Sequence, residues 1–159
     1  MITKLTIVCL CMTASAMFGL RHTNGKRARV RYFASCVQLT DALIAEISFR
    51  RDKLTDALLS FAHNDKTELR AHIEAYCAAP FAPFAPKGKL LKTEEKRLLS
   101  AFFAVLGTSD AQTQVFELEN YKRRFEELYA VESEAFRKTG TVGLKLSVLF
   151  GIAVGVLIL

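Results

Sequence analysis

Residues 106–114, LGTSDAQTQ, decide how this chain folds. They stand between an apolar run, LLSAFFAVL, and a long charged one. Gly107 follows the last apolar residue of a helical pattern, where glycine relieves a left-handed backbone and ends a helix. Ser109 can cap the next helix, with Gln112 three residues on completing a capping box. Asp110 falls in the first turn, on the positive end of the helix dipole. A Gly-Thr-Ser turn can also cradle a phosphate, but Asp110 would repel one and no P-loop lysine follows. Gly107, Thr108, Ser109 and Asp110 therefore read as a structural corner between two antiparallel neighbours.

Before the corner, Thr93 can cap a helix with Glu94 and Glu95 in its first turn, running through Leu98, Leu99, Phe102, Phe103 and Leu106. After it, nothing breaks the helical period from Asp110 to Lys138. That length spans ~40 Å at 1.5 Å per residue. Val115, Leu118, Tyr121, Phe125 and Leu128 mark the buried stripe; Glu119, Lys122, Arg123, Glu126, Glu127 and Glu134 mark the wet faces. This helix leads toward the C-terminal apolar segment, with Gly140 or Gly143 as the place for a joint.

Further upstream, AAPFAPFAPKGKLLK carries three prolines in seven residues and excludes a regular helix. A proline-rich ligand and an extended connector both fit; the connector is the simpler reading, with Phe81 and Phe84 folded back onto the bundle. Asp65 can cap a helix through Leu69, Ile73 and Tyr76, and Asp52 one carrying Leu54, Leu58, Leu59 and Phe61. Phe49-Arg50-Arg51-Asp52 reads as a turn. In VQLTDALIAEISF, Val37, Leu39, Ala42, Leu43, Ala45, Ile47 and Phe49 hold one broad apolar face. No run from 32 to 138 alternates as a strand does.

The ends differ from this middle. Of 22 Lys and Arg, only Lys4 precedes residue 21 and none follows Lys145, while all 16 acids lie between Asp41 and Glu134. Ile2–Leu20 and Gly140–Leu159 are apolar segments long enough for a hydrocarbon core of ~30 Å. Arg21, Lys26, Arg27, Arg29 and Arg31 flank the first; Arg137, Lys138 and Lys145 flank the second. The positive-inside rule then puts residues 21–143 in the cytoplasm and both termini outside. Residues 1–20 also have the form of a cleaved signal peptide, with Ala14-Ser15-Ala16 at the cleavage position. The basic cluster that follows resists translocation and favours a retained anchor. The expected architecture is all-α: a transmembrane helix at 2–20, a basic juxtamembrane segment at 21–31, a cytoplasmic helical bundle at 32–138, and a transmembrane helix at 140–159.

Chemistry is sparse. Cys9, Cys11, Cys36 and Cys77 form no CxxC and no zinc-like spacing, and read as free thiols. His22, His63 and His72 have no relay partner, so surface or capping roles are expected for His63 and His72. No catalytic residue, cofactor or metal site, small-molecule substrate or nucleic-acid partner is expected. The cluster 21–31 is better suited to anionic lipid headgroups. Lys122, Arg123 and Arg124 beside Glu126 and Glu127 form the candidate partner face, able to select a partner by charge.

These features resemble the stage III sporulation protein AB family of endospore-forming bacteria. The resemblance rests on Leu106-Gly107-Thr108-Ser109-Asp110, the glutamine-containing turn, the long charged helix and the terminal apolar tail. Glu46-Ile47-Ser48-Phe49 followed by Leu54-Thr55-Asp56-Ala57-Leu58 is a second, weaker likeness; Arg51, Asp52 and Lys53 stand where the family commonly has a Gly and a Pro. The resemblance implies a mother-cell membrane protein of the channel complex joining mother cell and forespore. It also implies a cytoplasmic domain like that of type II secretion and type IV pilus platform proteins, working with a secretion-type ATPase and other channel subunits. A membrane-tethered adaptor unrelated to secretion, or a tail-anchored exported protein, are the alternatives.

Overall fold

The computed structural model describes the backbone of residues 2–49, 54–80 and 82–158; within the two longest helices many side chains, among them most of those in 2–22 and 139–158, lie outside the described residues. Five α-helices make up the described chain: α1 Ile2–Phe49, α2 Leu54–Asn64, α3 Leu69–Ala78, α4 Thr93–Val105 and α5 Ala111–Ile158. No described residue lies in a strand, so the all-helical expectation holds. Past Phe49, which ends α1, the expected turn falls on residues outside the described set, as do the Asp52 cap and the fold-back of Phe81.

Two compact units divide the chain. One comprises Met1–Val30 with Val131–Leu159, the other Arg31–Ala130.

The unit Arg31–Ala130 is a bundle around an aromatic centre. From α1, Tyr32, Phe33, Cys36, Leu39 and Leu43 are buried, spaced by three and four residues so that one stripe faces inward. Leu58 and Ala62 of α2, Leu69, Ile73 and Tyr76 of α3, Leu99, Phe102 and Phe103 of α4, and Leu118 and Phe125 of α5 complete it. The Phe103 ring lies 4.9 Å from Tyr76, 4.7 Å from Phe84 and 5.3 Å from Phe102, and Phe102 packs edge-on against Tyr121 and Phe125. Phe84 thus folds back onto the bundle as expected. The face read from residues 37–49 is narrower than expected: Ala42 and Ala45 are exposed, and buried Thr40 stands in the stripe instead, its hydroxyl donating to the Cys36 carbonyl at 2.8 Å. That bond satisfies the hydroxyl inside the helix and lets a polar residue occupy a core position.

His72 differs from expectation. It is buried on the α3 stripe, with Nδ1 2.8 Å from the Tyr32 hydroxyl and Nε2 2.8 Å from the Lys87 carbonyl. A carbonyl oxygen only accepts, so Nε2 carries a proton and donates. In the neutral ring Nδ1 then accepts from Tyr32. One side chain ties α1, α3 and the proline-bearing connector together, while His63 stays exposed at the end of α2.

Two caps also move. Asp65 accepts from the Thr67 N–H and hydroxyl, and the Thr67 hydroxyl in turn accepts from the Leu69 N–H at 3.2 Å. Thr67 therefore serves the start of α3, two residues nearer than Asp65. At α4, Lys92 precedes the helix and its N–H donates to Glu95 Oε2 at 2.7 Å, with Glu94 and Glu95 in the first turn.

In the unit Met1–Val30 with Val131–Leu159, Arg29 Nη2 donates to Glu132 Oε1 at 2.7 Å and joins α1 to α5. α5 continues through Gly140 and Gly143, so the joint expected there is absent. Among the described residues no helix is long and apolar enough to cross a membrane. Most side chains of the two expected spans, 2–20 and 140–159, lie outside the described residues.

Candidate interaction surface

The corner at 106–114 comes first, because it orients α5 against α4. Gly107 has φ +75°, the left-handed conformation its position predicts. The Thr108 hydroxyl donates back to the Val105 carbonyl at 2.8 Å, occupying a carbonyl left over at the end of α4. Asp110, rather than Ser109, caps α5: its Oδ2 accepts from the N–H groups of Gln112 at 3.2 Å and Thr113 at 3.3 Å. Hydrogen bonds from Thr113 and then Gln112 hold the Asp110 carboxyl below its ordinary range. The difference is one of register. The helix begins at Ala111, so the residue directly before it holds the capping position. Ser109 reaches forward to Glu117 Oε2 at 3.0 Å.

Gln114 completes the corner. It is buried, and its Oε1 accepts from the Gly107 N–H at 2.9 Å while its Nε2 has no hydrogen-bond partner. The amide thus satisfies the backbone of the turn from inside the bundle, and both N–H donors of its nitrogen are left over. The Thr108 hydroxyl is engaged with the end of α4, and the Gly107 N–H, the Ser109 hydroxyl and the Asp110 carboxylate are engaged with α5.

The charged stretch of α5 does not form one face. Successive residues turn by ~100°, and the five candidate residues divide accordingly. Lys122 Nζ pairs with Asp41 of α1 at 2.7 Å and with Glu126 at 3.8 Å. The hydrogen bond to Asp41 raises the Lys122 pKa above its ordinary value. Arg124 and Glu127 turn toward α4, where they line a groove of about 320 Å³ with Glu94, Glu95, Leu98 and Leu128. Arg123 is exposed and held by Asn120 at 2.9 Å. Lys122 therefore serves the α1–α5 contact, with Glu126 beside it on α5, and Arg123, Arg124 and Glu127 are left as exposed charges.

Of the membrane-flanking residues, Arg21, Arg27, Arg31, Lys138 and Lys145 are exposed, Lys26 is half-buried, and Arg29 is committed to Glu132. Among the described residues no group of His, Cys, Asp and Glu could hold a metal ion. Cys36 is buried and Cys77 half-buried; both are free thiols whose pKa burial raises, which disfavours the reactive thiolate.

Sequence reading missed His72, Thr40 and Gln114. His72 had a visible signal: it lies three residues after Leu69 and four before Tyr76, on the stripe already assigned to the core. Gln114 had none, since its partner is a backbone N–H seven residues back.

Comparison with curated proteins and with solved structures returns no match. The family described as stage III sporulation protein AB matches residues 86–159, which hold the end of the connector, α4, the corner and all of α5. Over that region, somewhat less than half of the chain, the sequence is similar to the stage III sporulation protein AB family.

Proposed function

We propose that this chain is a non-catalytic membrane component of a sporulation apparatus, whose helical unit docks a secretion-type ATPase beneath the membrane. The family match supports the place in sporulation. The membrane reading rests on side chains at the two ends: Met17, Leu146 and Leu149 are 72%, 64% and 64% exposed, in segments flanked by basic residues. Large apolar side chains left open in this way mark a surface that another apolar phase covers. Under this reading both spans cross the mother-cell membrane, residues 21–143 face the cytoplasm, and other channel subunits surround them.

Docking is the observation-bearing step for the unit Arg31–Ala130. Arg123 and Arg124 are exposed next to each other on a helix whose opposite side is pinned by Leu118 and Phe125 in the core. Cations whose backbone is already held on a rigid helix can select an acidic partner surface with only their side chains left to order. The test is purification of the full chain from sporulating cells. Recovery of a hexameric secretion-type ATPase with it is expected. Loss of spore formation on deletion is expected too; recovery of no ATPase with the wild-type chain, together with normal spore formation in a deletion strain, contradicts the reading.

A further inference from the structure

The charge of the chain is not spread evenly. Met1–Val30 with Val131–Leu159 holds eight Lys and Arg against two Glu, while Arg31–Ala130 holds fourteen of each sign. The whole net charge of +6 thus belongs to the first unit. Both of its carboxylates are engaged: Glu132 with Arg29 at 2.7 Å, and Glu134 with Lys138 at 2.7 Å. The Arg29–Glu132 side chains are only 14% and 15% exposed, so this pair is a sheltered clamp between α1 and α5. Arg21, Arg27 and Arg137 are exposed, and no carboxylate partner accompanies them among the described residues.

The clamp fixes where these cations lie. Counting ~1.5 Å per residue along each helix, Arg27 is ~3 Å and Arg21 ~12 Å from Arg29, and Arg137 is ~8 Å from Glu132. Around the axes they diverge: at ~100° per residue, Arg21 and Arg27 point ~120° apart, and Arg137 ~140° from Glu132. Cations pointing to several sides of a helix pair cannot close on one anion. They can all meet a layer that surrounds the pair. The headgroup region on each side of a bilayer is ~5–8 Å thick, comparable to the band these side chains occupy.

We infer that Arg21, Arg27 and Arg137 form a ring that gathers anionic phospholipid headgroups around the helix pair. This rests on the membrane reading above. Arg29 and Glu132 set the ring by holding the two helices together and take no part in binding. A cation near an anionic leaflet changes partitioning by about fivefold, and three acting together make a preference readily measured.

The full chain is reconstituted in phosphatidylcholine vesicles carrying trace spin-labelled phosphatidylglycerol or spin-labelled phosphatidylcholine, and the protein-bound fraction of each is read by electron spin resonance. A preference for phosphatidylglycerol of about fivefold or more at low salt, weakened at high salt, is expected. In Arg21→Gln/Arg27→Gln/Arg137→Gln it falls to about twofold or less, while the matching triple Lys variant retains it; circular dichroism checks that each variant stays helical. A preference that survives in the Gln variant overturns the ring. So does removal of the wild-type preference by inorganic phosphate at constant ionic strength, which would mark an anion pocket. Equal association of both lipids in a chain that floats with the vesicles overturns the ring and leaves the membrane reading standing. A chain that does not float overturns both.

Discussion

Replacing Tyr32 by Phe tests the bond network that holds the bundle to its connector. The change removes one hydroxyl and keeps the ring, whose edge-on contacts with Phe33 and His72 persist. His72 Nδ1, 2.8 Å from that hydroxyl and buried, is left without its donor. An orphaned buried acceptor costs about 1–3 kcal/mol, and the enclosed site gives water little access, so a loss near 2 kcal/mol is expected. For a domain of this size that lowers Tm by about 8–16 °C. His72→Leu removes both ends and strands the Tyr32 hydroxyl and the Lys87 carbonyl, so a larger loss, about 2–4 kcal/mol, is expected. In the double variant the two costs overlap, because the Tyr32–His72 bond is lost only once. Urea unfolding of residues 31–138, followed by circular dichroism, measures all three. Fully additive losses, or a Tyr32→Phe change under about 0.5 kcal/mol, would refute the bond and the Nε2–H tautomer inferred from it.

Other outcomes follow from single features. The fragment 31–138 is expected to fold alone with a strongly helical spectrum; a β or unfolded spectrum counts against the bundle. Phe103→Ala empties the centre of the aromatic cluster and should cost about 3–5 kcal/mol, read by the same unfolding assay. Gly107→Val forces a β-branched residue to φ +75° and should destabilise by more than about 1 kcal/mol, whereas Ser109→Ala, no longer a cap, should matter less. Asp110 has a depressed folded pKa, so its capping contribution is complete above the unfolded carboxylate range and disappears as pH falls through the folded value. Wild type and Asp110→Ala should therefore differ in Tm near pH 6 and converge in strong acid. Cys36 should resist alkylation at pH 8 in the folded protein while Cys77 reacts slowly; equal rates would contradict the burial.

The helices were legible in the sequence wherever apolar spacing kept one period, as in Leu118–Phe125 and Leu69–Tyr76. Gly107 was legible because only its backbone conformation was at issue. Caps were displaced by one or two residues, at Asp110 for Ser109 and Thr67 for Asp65, because several oxygen-bearing residues stood in a row and only the backbone chooses among them. The pairing of Lys122 on the charged stretch of α5 was not legible for a different reason. Lys122 was read from its own helix, and its partner Asp41 lies far away in sequence on α1. His72 was read by residue type when its position on the Leu69–Ile73–Tyr76 stripe carried the better signal. The division of net charge between the two units became visible only once the fold grouped residues 1–30 with 131–159.

Docking of the ATPase remains the central claim, and binding of purified ATPase to the full chain in vesicles tests it most directly. Arg123→Glu/Arg124→Glu reverses the exposed cations and leaves the Lys122–Asp41 pair in place. The account predicts that wild type binds, that the double variant retains its helicity, and that its affinity falls by about tenfold or more at physiological salt. Equal binding by the two would move the interface off α5, and no binding by the wild-type chain would contradict the docking function.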